Sequence, residues 1–422
     1  AFSSALLQAM TRRRRFRGDR GHIEVSSTRE LKRALRGAQC PEPKIGQADQ
    51  SNTSINYGDR FILKLIRRLE PGVNPELEVG RFLTEHGGFA NVAPVVGSIE
   101  YRVGKEEPQT LAILQNFVPN AGDAWRFTLD ALGRFFERVA TRADREQFPE
   151  LPSGKLFEQL ERETPELAIA LIGPYLAHAE MLGRRTAEMH LALASNADHP
   201  DFAPVRFTVL YQRSLYQSVR TRSARSFSLL RKSASTLPEP LQPTAAKLLE
   251  REPEFRERLG AILDHKLGAS RIRCHGDYHL GQVLFTGNDF VIIDFEGEPM
   301  RPIGERRFKR SPLRDVAGML RSFHYIAVNA LMTEGVRTDD QVALRPWSEF
   351  WRAWVSLAFL RSYFERAAEG LFLPSDPDDV EIMLDFFLLE KAIYELEYEL
   401  NNRPDWVPIP LQGLLMLLDS GD

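Results

Sequence analysis

Between Cys274 and Pro299 the chain reads CHGDYHLGQVLFTGNDFVIIDFEGEP, in which an aspartate, an amide and a second aspartate surround two short apolar runs. Asp277 is followed five residues later by Gln282, and Asp294 closes VIID. Polar groups beside such runs sit at the mouths of buried strands, where burial and close charges tune them for chemistry. Phosphoryl transfer from a nucleotide needs a positioned base, oxygen ligands for a metal and a cation on the phosphates, because its catalysis is mostly positioning and electrostatics. The spacing makes Asp277 the candidate base, with Gln282 and Asp294 the candidate metal-holding pair.

The cation is sought upstream. Lys64 stands in FILKLI, where strand alternation puts Phe61 and Leu63 on one face and Ile62 and Lys64 on the other. A carboxylate on the following helix would hold that lysine against the α- and β-phosphates. Glu76, Glu78 and Glu85 all lie on the segment, and Glu78 is the expected partner. No glycine-rich loop precedes Lys64. Its place is taken by QSNTS, where Ser51, Asn52, Thr53 and Ser54 offer hydroxyl, amide and backbone donors to a phosphate. A polar turn of this kind is ordinarily just a loop; its position before the lysine is what recommends it.

Other residues near the motif have plainer readings. The spacing of His275 and His279 admits a metal site, but it lacks the glutamate and helical setting of a zinc protease, so His275 is read as bracing the backbone. Glu296 and Glu298 follow Asp294 with period two, and either assists the metal or is simply solvated. Asp315 in RDVAGML reads as structural, capping the catalytic loop or a helix start.

The elements that must position these groups fall into two regions. HIEVSS, SINYGDRFILKLI, PVVGSIEYRV and TLAILQNFV give five short strands, with Tyr57-Gly58-Asp59-Arg60 as a hairpin turn over 53–66. PELEVGRFLTEHGG is one amphipathic helix with a glycine stop. After Pro119 helical spacing dominates, as in AWRFTLDALGRFFERVATRA and EIMLDFFLLEKAIYELEYELNN. The expectation is an α+β fold of two lobes, a β-rich N-lobe over 1–118 and a mainly helical C-lobe over 119–422.

Composition narrows the class of protein. A chain of 422 residues, 43% hydrophobic and 27% charged, exceeds one ordinary core and suits a two-lobed globular enzyme. The formal charge of −3 gives no global basic field for nucleic acid. No apolar run approaches the roughly 20 residues that cross a bilayer. Cys40 and Cys274 lie too far apart for a CxxC site, so a reducing cytoplasm fits best. TRRRRFRGDR carries six arginines after AFSSALLQAM, which admits a transit peptide or a polyanion-binding arm, although a solvated face is the usual meaning of such a run.

With these parts in order, the chain resembles the maltokinase family, within the aminoglycoside-phosphotransferase-like branch of the protein-kinase-like fold. The matching stretches are QSNTSI, FILKLIRR, ELEVGRFL, HGDYHLGQVL, IIDFEGEP, ERRFKRSPLRDVAGMLRSF and KAIYELEYELNNRPDWVPIPL, which together span most of 45–412. The resemblance implies transfer of the γ-phosphate of ATP, with Mg²⁺, to the anomeric hydroxyl of maltose, giving maltose 1-phosphate for α-glucan synthesis. It implies Asp277 as proton acceptor, Gln282 and Asp294 on magnesium, Lys64 with Glu78 on the nucleotide phosphates, and the linker around Gln115 and Val118 against adenine. Family members also occur fused to trehalose synthase, so a fusion or association is expected, and a start without Met would fit it.

The sugar site is expected on the last long helix. Lys391, Tyr394, Glu395 and Tyr398 recur at three and four and share one face, which Asn401 extends. Such a stripe is as readily an amphipathic helix packing its aromatics, but a disaccharide needs both aromatic faces and hydrogen-bonding groups. Competing readings are a kinase of another hydroxylated acceptor, such as a different sugar, choline or an aminoglycoside, and a module that binds nucleotide without turnover.

Overall fold

The hairpin that carries Lys64 forms around a glycine that its turn requires. Gly58 takes φ +60°, Arg60 N donates to Tyr57 O at 3.3 Å, and Ser54 pairs across the ladder with Lys64. In the computed structural model, which describes residues 2–35, 42–46, 52–142, 149–332 and 338–419, this hairpin sits inside a larger antiparallel sheet.

The N-lobe consists of α1 (Phe2–Arg12), β1 (Arg15–Arg17), β2 (His22–Ser27), α2 (Arg29–Ala34), β3 (Pro43–Ile45), β4 (Thr53–Tyr57), β5 (Phe61–Leu65), α3 (Pro75–Glu85), β6 (Val95–Arg102) and β7 (Gln109–Asn116). Its strand order is β1-β2-β6-β7-β5-β4-β3. The two edge strands lie beyond the five expected. Each has three residues and no buried position, so neither carries the alternation that marks a strand. The apolar start of the chain becomes α1, whose Leu7 and Met10 join Ile55, Leu63, Ile99 and Leu114 in the core of the sheet. Residues 12–20, with the six arginines, are exposed.

Helix α3 begins at Asn74, whose side chain accepts from Leu77 N at 3.2 Å, and it ends before Gly88, which takes φ +62°. Its apolar side belongs to the core of the other lobe: Phe82 stacks on Phe202 with ring centroids 3.7 Å apart. Structurally, therefore, the helix bridges the division expected at 118.

The C-lobe is helical: α4 (Ala124–Ala140), α5 (Leu156–Glu161), α6 (Glu166–Ile172), α7 (Tyr175–Leu193), α8 (Val209–Ser233), α9 (Gln242–Glu250), α10 (Glu252–Gly260), α11 (Ile303–Arg306), α12 (Leu313–Met332), α13 (Thr338–Ala367), α14 (Pro377–Asn402) and α15 (Pro408–Asp419). Two strand pairs interrupt it, β8 (Val205–Arg206) with β9 (Ser270–Arg271) and β10 (Val283–Phe285) with β11 (Phe290–Ile292). The second pair carries the motif region. It is tied to the sheet side by bridges from Val92 to Ile292 and from Asp123 to Leu284. Tight helix contact sets the frame around it. A Cβ at Gly183 of α7 would lie 2.1 Å from the Phe359 carbonyl oxygen of α13. No described helix is long and apolar enough to cross a membrane.

Candidate active site

Lys64 projects from β5 into a cleft of carboxylates. Its Nζ lies 2.8 Å from Glu76 Oε2, 2.7 Å from Asp294 Oδ1 and 3.1 Å from Glu296 Oε1. The expected pairing with Glu78 is thus corrected to Glu76. Two residues along a helix turn a side chain through about 200°, so only one of these glutamates can face β5. Glu76 faces it at 1% exposure, whereas Glu78 turns to the C-lobe, where Arg307 Nη2 meets it at 2.6 Å and Arg273 Nη1 at 2.8 Å. Burial alone would raise the Glu78 carboxyl, but the hydrogen bonds from Arg307 and the charge of Arg273 outweigh it and hold it below its ordinary value.

Three carboxylates around one ammonium leave an excess of negative charge. Burial works against the Lys64 ammonium, yet Glu76, Asp294 and Glu296 together raise its pKa well above the ordinary value. Burial pushes Glu76 up and Lys64 pulls it down; the charges of Asp294 and Glu296 add to the rise, and the carboxyl ends at about 8. Asp294 goes the other way, because the charge and hydrogen bond of Lys64 overcome its burial.

The amide and the two loops complete the cleft. Asp294 adopts φ +66°, a left-handed conformation that aspartate tolerates better than most side chains. Gln282 hydrogen-bonds to it from the turn before β10. Asn52 Nδ2 donates to Glu296 Oε1 at 2.7 Å, while Thr53 and Ser54 lie on β4 beside Lys64. Ser51 falls outside the described residues. Gln115 and Val118 stand half-buried at the end of β7 and in the linker after it, where the Val118 carbonyl accepts from Asn120 Nδ2 at 2.8 Å. The carboxylate oxygens of Glu76, Asp294 and Glu296 lie within 4.8 Å of one another, a hard oxygen set that fits magnesium.

Asp277 is positioned from behind. His275 Nε2 donates to Ile293 O at 2.8 Å and its Nδ1 accepts from Asp277 N at 3.4 Å, which joins the loop to the end of β11. Asp315, buried in the first turn of α12, accepts from His275 N at 2.7 Å and Gly276 N at 3.0 Å, and also meets His190 Nε2 at 3.1 Å. Gly276, at φ +88°, lets the loop pass Gly297 so closely that a Cβ would sit 3.3 Å from its Cα. Glu298 is buried and neither solvated nor turned to the cleft. Arg314 holds it at 2.8 Å and Arg301 on its other oxygen, and despite burial the charges of Arg314, Lys391 and Arg301 pull its carboxyl strongly down.

From Asp277 a cavity of about 530 Å³ runs along α14. Lys391, Tyr394, Glu395 and Tyr398 all line it. Asn401 is corrected: it faces away from the cavity, and its exposed amide folds back to donate to Glu397 O at 2.7 Å. Lys391 Nζ lies 3.4 Å from Asp277 Oδ1 and 5.2 Å over the Tyr394 ring. Arg321 pairs with Glu395 at 2.7 Å, and Arg403, over Tyr398 at 5.2 Å and Trp406 at 5.8 Å, stands 3.9 Å from Glu399.

Trp125, Tyr325, Glu399, Arg403 and Trp406 also line the cavity and were absent from the sequence-based site. Glu399 had a signal, because it continues the Lys391–Glu395 face by four residues. Trp125 and Tyr325 come from α4 and α12, and nothing in their local sequence points to α14.

Three comparisons bear on the arrangement. The sequence model described as "Phosphotransferase enzyme family" matches residues 44–297. A glucosamine kinase of Mycolicibacterium smegmatis is 24% identical over 381 residues, covering 88% of this chain and 79% of that protein. A glucosamine kinase of Streptacidiphilus jiangxiensis is 26% identical over 380 residues, covering 88% and 72%. A solved glucosamine kinase in complex with glucosamine, ADP and inorganic phosphate superposes with a TM-score of 0.67 at 21% identity, covering 99% of this chain and 82% of the other. The fold is that of these kinases.

Proposed function

Because the chain belongs to the phosphotransferase enzyme family, we propose that it is an ATP-dependent sugar kinase whose acceptor is maltose, phosphorylated at the anomeric hydroxyl. The observation that carries a neutral acceptor is the pairing of charges in the acceptor cavity. Asp277 meets Lys391, Glu395 meets Arg321, and the faces of Tyr394, Tyr398 and Trp406 already carry cations. Among the described residues a cationic acceptor would be left with the face of Trp125 and the carboxylate of Asp123, which accepts from Arg126 N, on the α4 side of the cavity. Hydroxyl groups instead use charged side chains as donors and acceptors without displacing their partners, and aromatic rings suit sugar faces.

In the reaction Asp277 takes the proton of the acceptor hydroxyl as its oxygen attacks the γ-phosphorus. The new bond joins that oxygen to phosphorus, the bond from phosphorus to the β–γ bridging oxygen breaks, and ADP leaves with the electron pair. Lys391 anchors Asp277 and aims it at the acceptor. Lys64, steadied by Glu76, turns its donors to the α- and β-phosphates, and Asn52, Thr53 and Ser54 lie near enough to assist. Magnesium, held by Gln282 and Asp294 with Glu296 close by, would neutralise charge on the β- and γ-phosphates. Gln115 and Val118 border the adenine. The product, maltose 1-phosphate, would feed α-glucan synthesis, and association with a trehalose synthase and a cytoplasmic setting accompany this reading.

A second reading is an amino-sugar acceptor such as glucosamine. The substrates named for the relatives favour it, as do two carboxylates of the cavity, Asp123, which has no ion pair among the described residues, and Glu399, with Arg403 3.9 Å away. The test is ADP release with ATP and Mg²⁺ across maltose, glucose, glucosamine, trehalose, choline and kanamycin, with the phosphate located by ³¹P NMR. Maltose-dependent turnover giving an anomeric phosphate is expected. Turnover with glucosamine alone would replace maltose by the second reading, and ATP binding without turnover on any acceptor would overturn the kinase assignment.

A further inference from the structure

A second cavity, of about 810 Å³, opens between α9, α12, α13 and α15. Gly318, Ser322 and Tyr325 of α12 line the acceptor cavity, whereas His324, Val328 and Leu331 line this one from another face of the same helix. Nothing in the phosphoryl-transfer chemistry uses it.

Two of its basic groups are short of partners. Arg352 forms no ion pair or hydrogen bond among the described residues, and its Nε is shielded from solvent. His324 is 6% exposed, and its Nδ1 likewise finds no partner. Arg345 and Lys247 stand exposed on the same wall. Of the two carboxylates present, Glu349 lies 3.8 Å from Arg345 on the same wall and its charge also reaches Arg352, while Asp419 binds Arg251. Burial, followed by the charges of Arg321, Arg352 and Arg345, pushes the His324 imidazole well below its ordinary pKa.

Water can satisfy the hydrogen bonds of His324, but it does not compensate the charge of the half-buried Arg352 guanidinium, which has no ion pair within 4 Å among the described residues. A counter-ion does. The remaining wall is apolar, with Val328, Leu331 and Leu415, so the cavity accepts more than a bare ion.

We propose that this cavity binds a small metabolite bearing an oxyanion, a phosphate ester or a carboxylate. Its charged end meets Arg352, Arg345 and Lys247 stand at the mouth, and its less polar body lies against Val328, Leu331 and Leu415. The proposal is independent of the acceptor at the first site.

Calorimetric titration of the full chain tests it, with the nucleotide site first filled by a non-hydrolysable ATP analogue and Mg²⁺. Inorganic phosphate and citrate are the probes, titrated separately. Saturable binding of either is expected, and the tighter of the two distinguishes an ester from a carboxylate ligand. Arg352→Gln should weaken that binding by at least about tenfold, a loss typical of removing one charged hydrogen-bonding partner. Without ligand the same variant should melt no lower than the wild type, because it removes a charge that has no ion pair within 4 Å among the described residues. Arg345→Ala and Lys247→Ala, both exposed positions that folding does not need, should each weaken binding by a smaller factor. Failure of both probes to bind the wild type, or equal affinity in all three variants, overturns the site.

Discussion

The phosphate cleft and the acceptor cavity meet at Asp277 but handle charge in opposite ways. In the cleft Lys64 faces Glu76, Asp294 and Glu296 at once, so negative charge exceeds positive. In the cavity three of the four lining carboxylates, Asp277, Glu395 and Glu399, each have a cation within 4 Å, and Asp123 has none among the described residues. An unbalanced cleft suits partners that bring their own charge, a metal and a polyphosphate, and a cavity whose charges are mostly paired suits a partner that brings none. On this view the molecule separates electrostatics from recognition, and substitutions on the two sides should fail in different ways.

The largest expected effect lies where the regions meet. Asp277→Asn should lower kcat by about 10³-fold, within the range of general-base catalysis, while nucleotide affinity measured by calorimetry is retained. Retained turnover would remove Asp277 from the base role. The next contrast sharpens the cleft itself. Glu76→Gln should raise KM for ATP and lower kcat together, by about tenfold or more, because Lys64 loses its buried partner. Glu78→Gln should leave both nearly unchanged in the folded enzyme but destabilise it by about 3 kcal/mol in denaturant titrations, because Arg273 is left buried without its partner. Exchanged outcomes for these two variants would restore Glu78 to the cleft.

That pair also marks how far the sequence could be read. That Gln282 meets Asp294 was legible because a short hairpin fixes their spacing, and so was the two-lobed α+β fold, from strand alternation giving way to helical periodicity. The choice between Glu76 and Glu78 was not. Both lie on one helix two residues apart, and the deciding contact comes from Arg273 and Arg307, some 200 residues on. The acceptor wall divides in the same manner: the α14 stripe showed as a periodicity, while Trp125 and Tyr325 arrive from other helices through tertiary packing alone. The edge strands β1 and β3 were missed for a simpler reason, since three exposed residues have no pattern to show.

On the acceptor side the failures should be those of binding. Trp406→Ala should raise KM for the sugar by about tenfold and leave KM for ATP within twofold, as expected for loss of one aromatic contact of 1–2 kcal/mol. A matching rise in KM for ATP would mean that the two regions are not separable in this way.

Titration separates them further, and more gently. The Glu76 carboxyl is raised in the folded protein to about 8, whereas in the unfolded chain it titrates near the ordinary value of 4.5. Between those values the folded state holds a proton that the unfolded state has released, so rising pH favours unfolding across that window. The melting temperature of the ligand-free wild type, relative to that of Glu76→Gln, should therefore fall from pH 5 to pH 8. A difference that stays flat would show that Lys64 keeps Glu76 ionised throughout.

The smallest effect is expected at the end of the stripe. Asn401 shares the helical face of Tyr394, seven residues earlier, and periodicity alone gives the two equal standing. The structure gives them different surroundings: Tyr394 lies beneath Lys391 in the cavity wall, while the Asn401 amide bonds to its own helix in solvent. Asn401→Ala should accordingly change KM for the sugar by less than about twofold, the range of an exposed hydrogen bond exchanged for water. Tyr394→Phe, which keeps the ring and removes only the hydroxyl, is the control on the same face. If Asn401→Ala proved the more damaging of the two, the sugar would have to touch the exposed side of the last turn of α14, outside the present walls of the cavity.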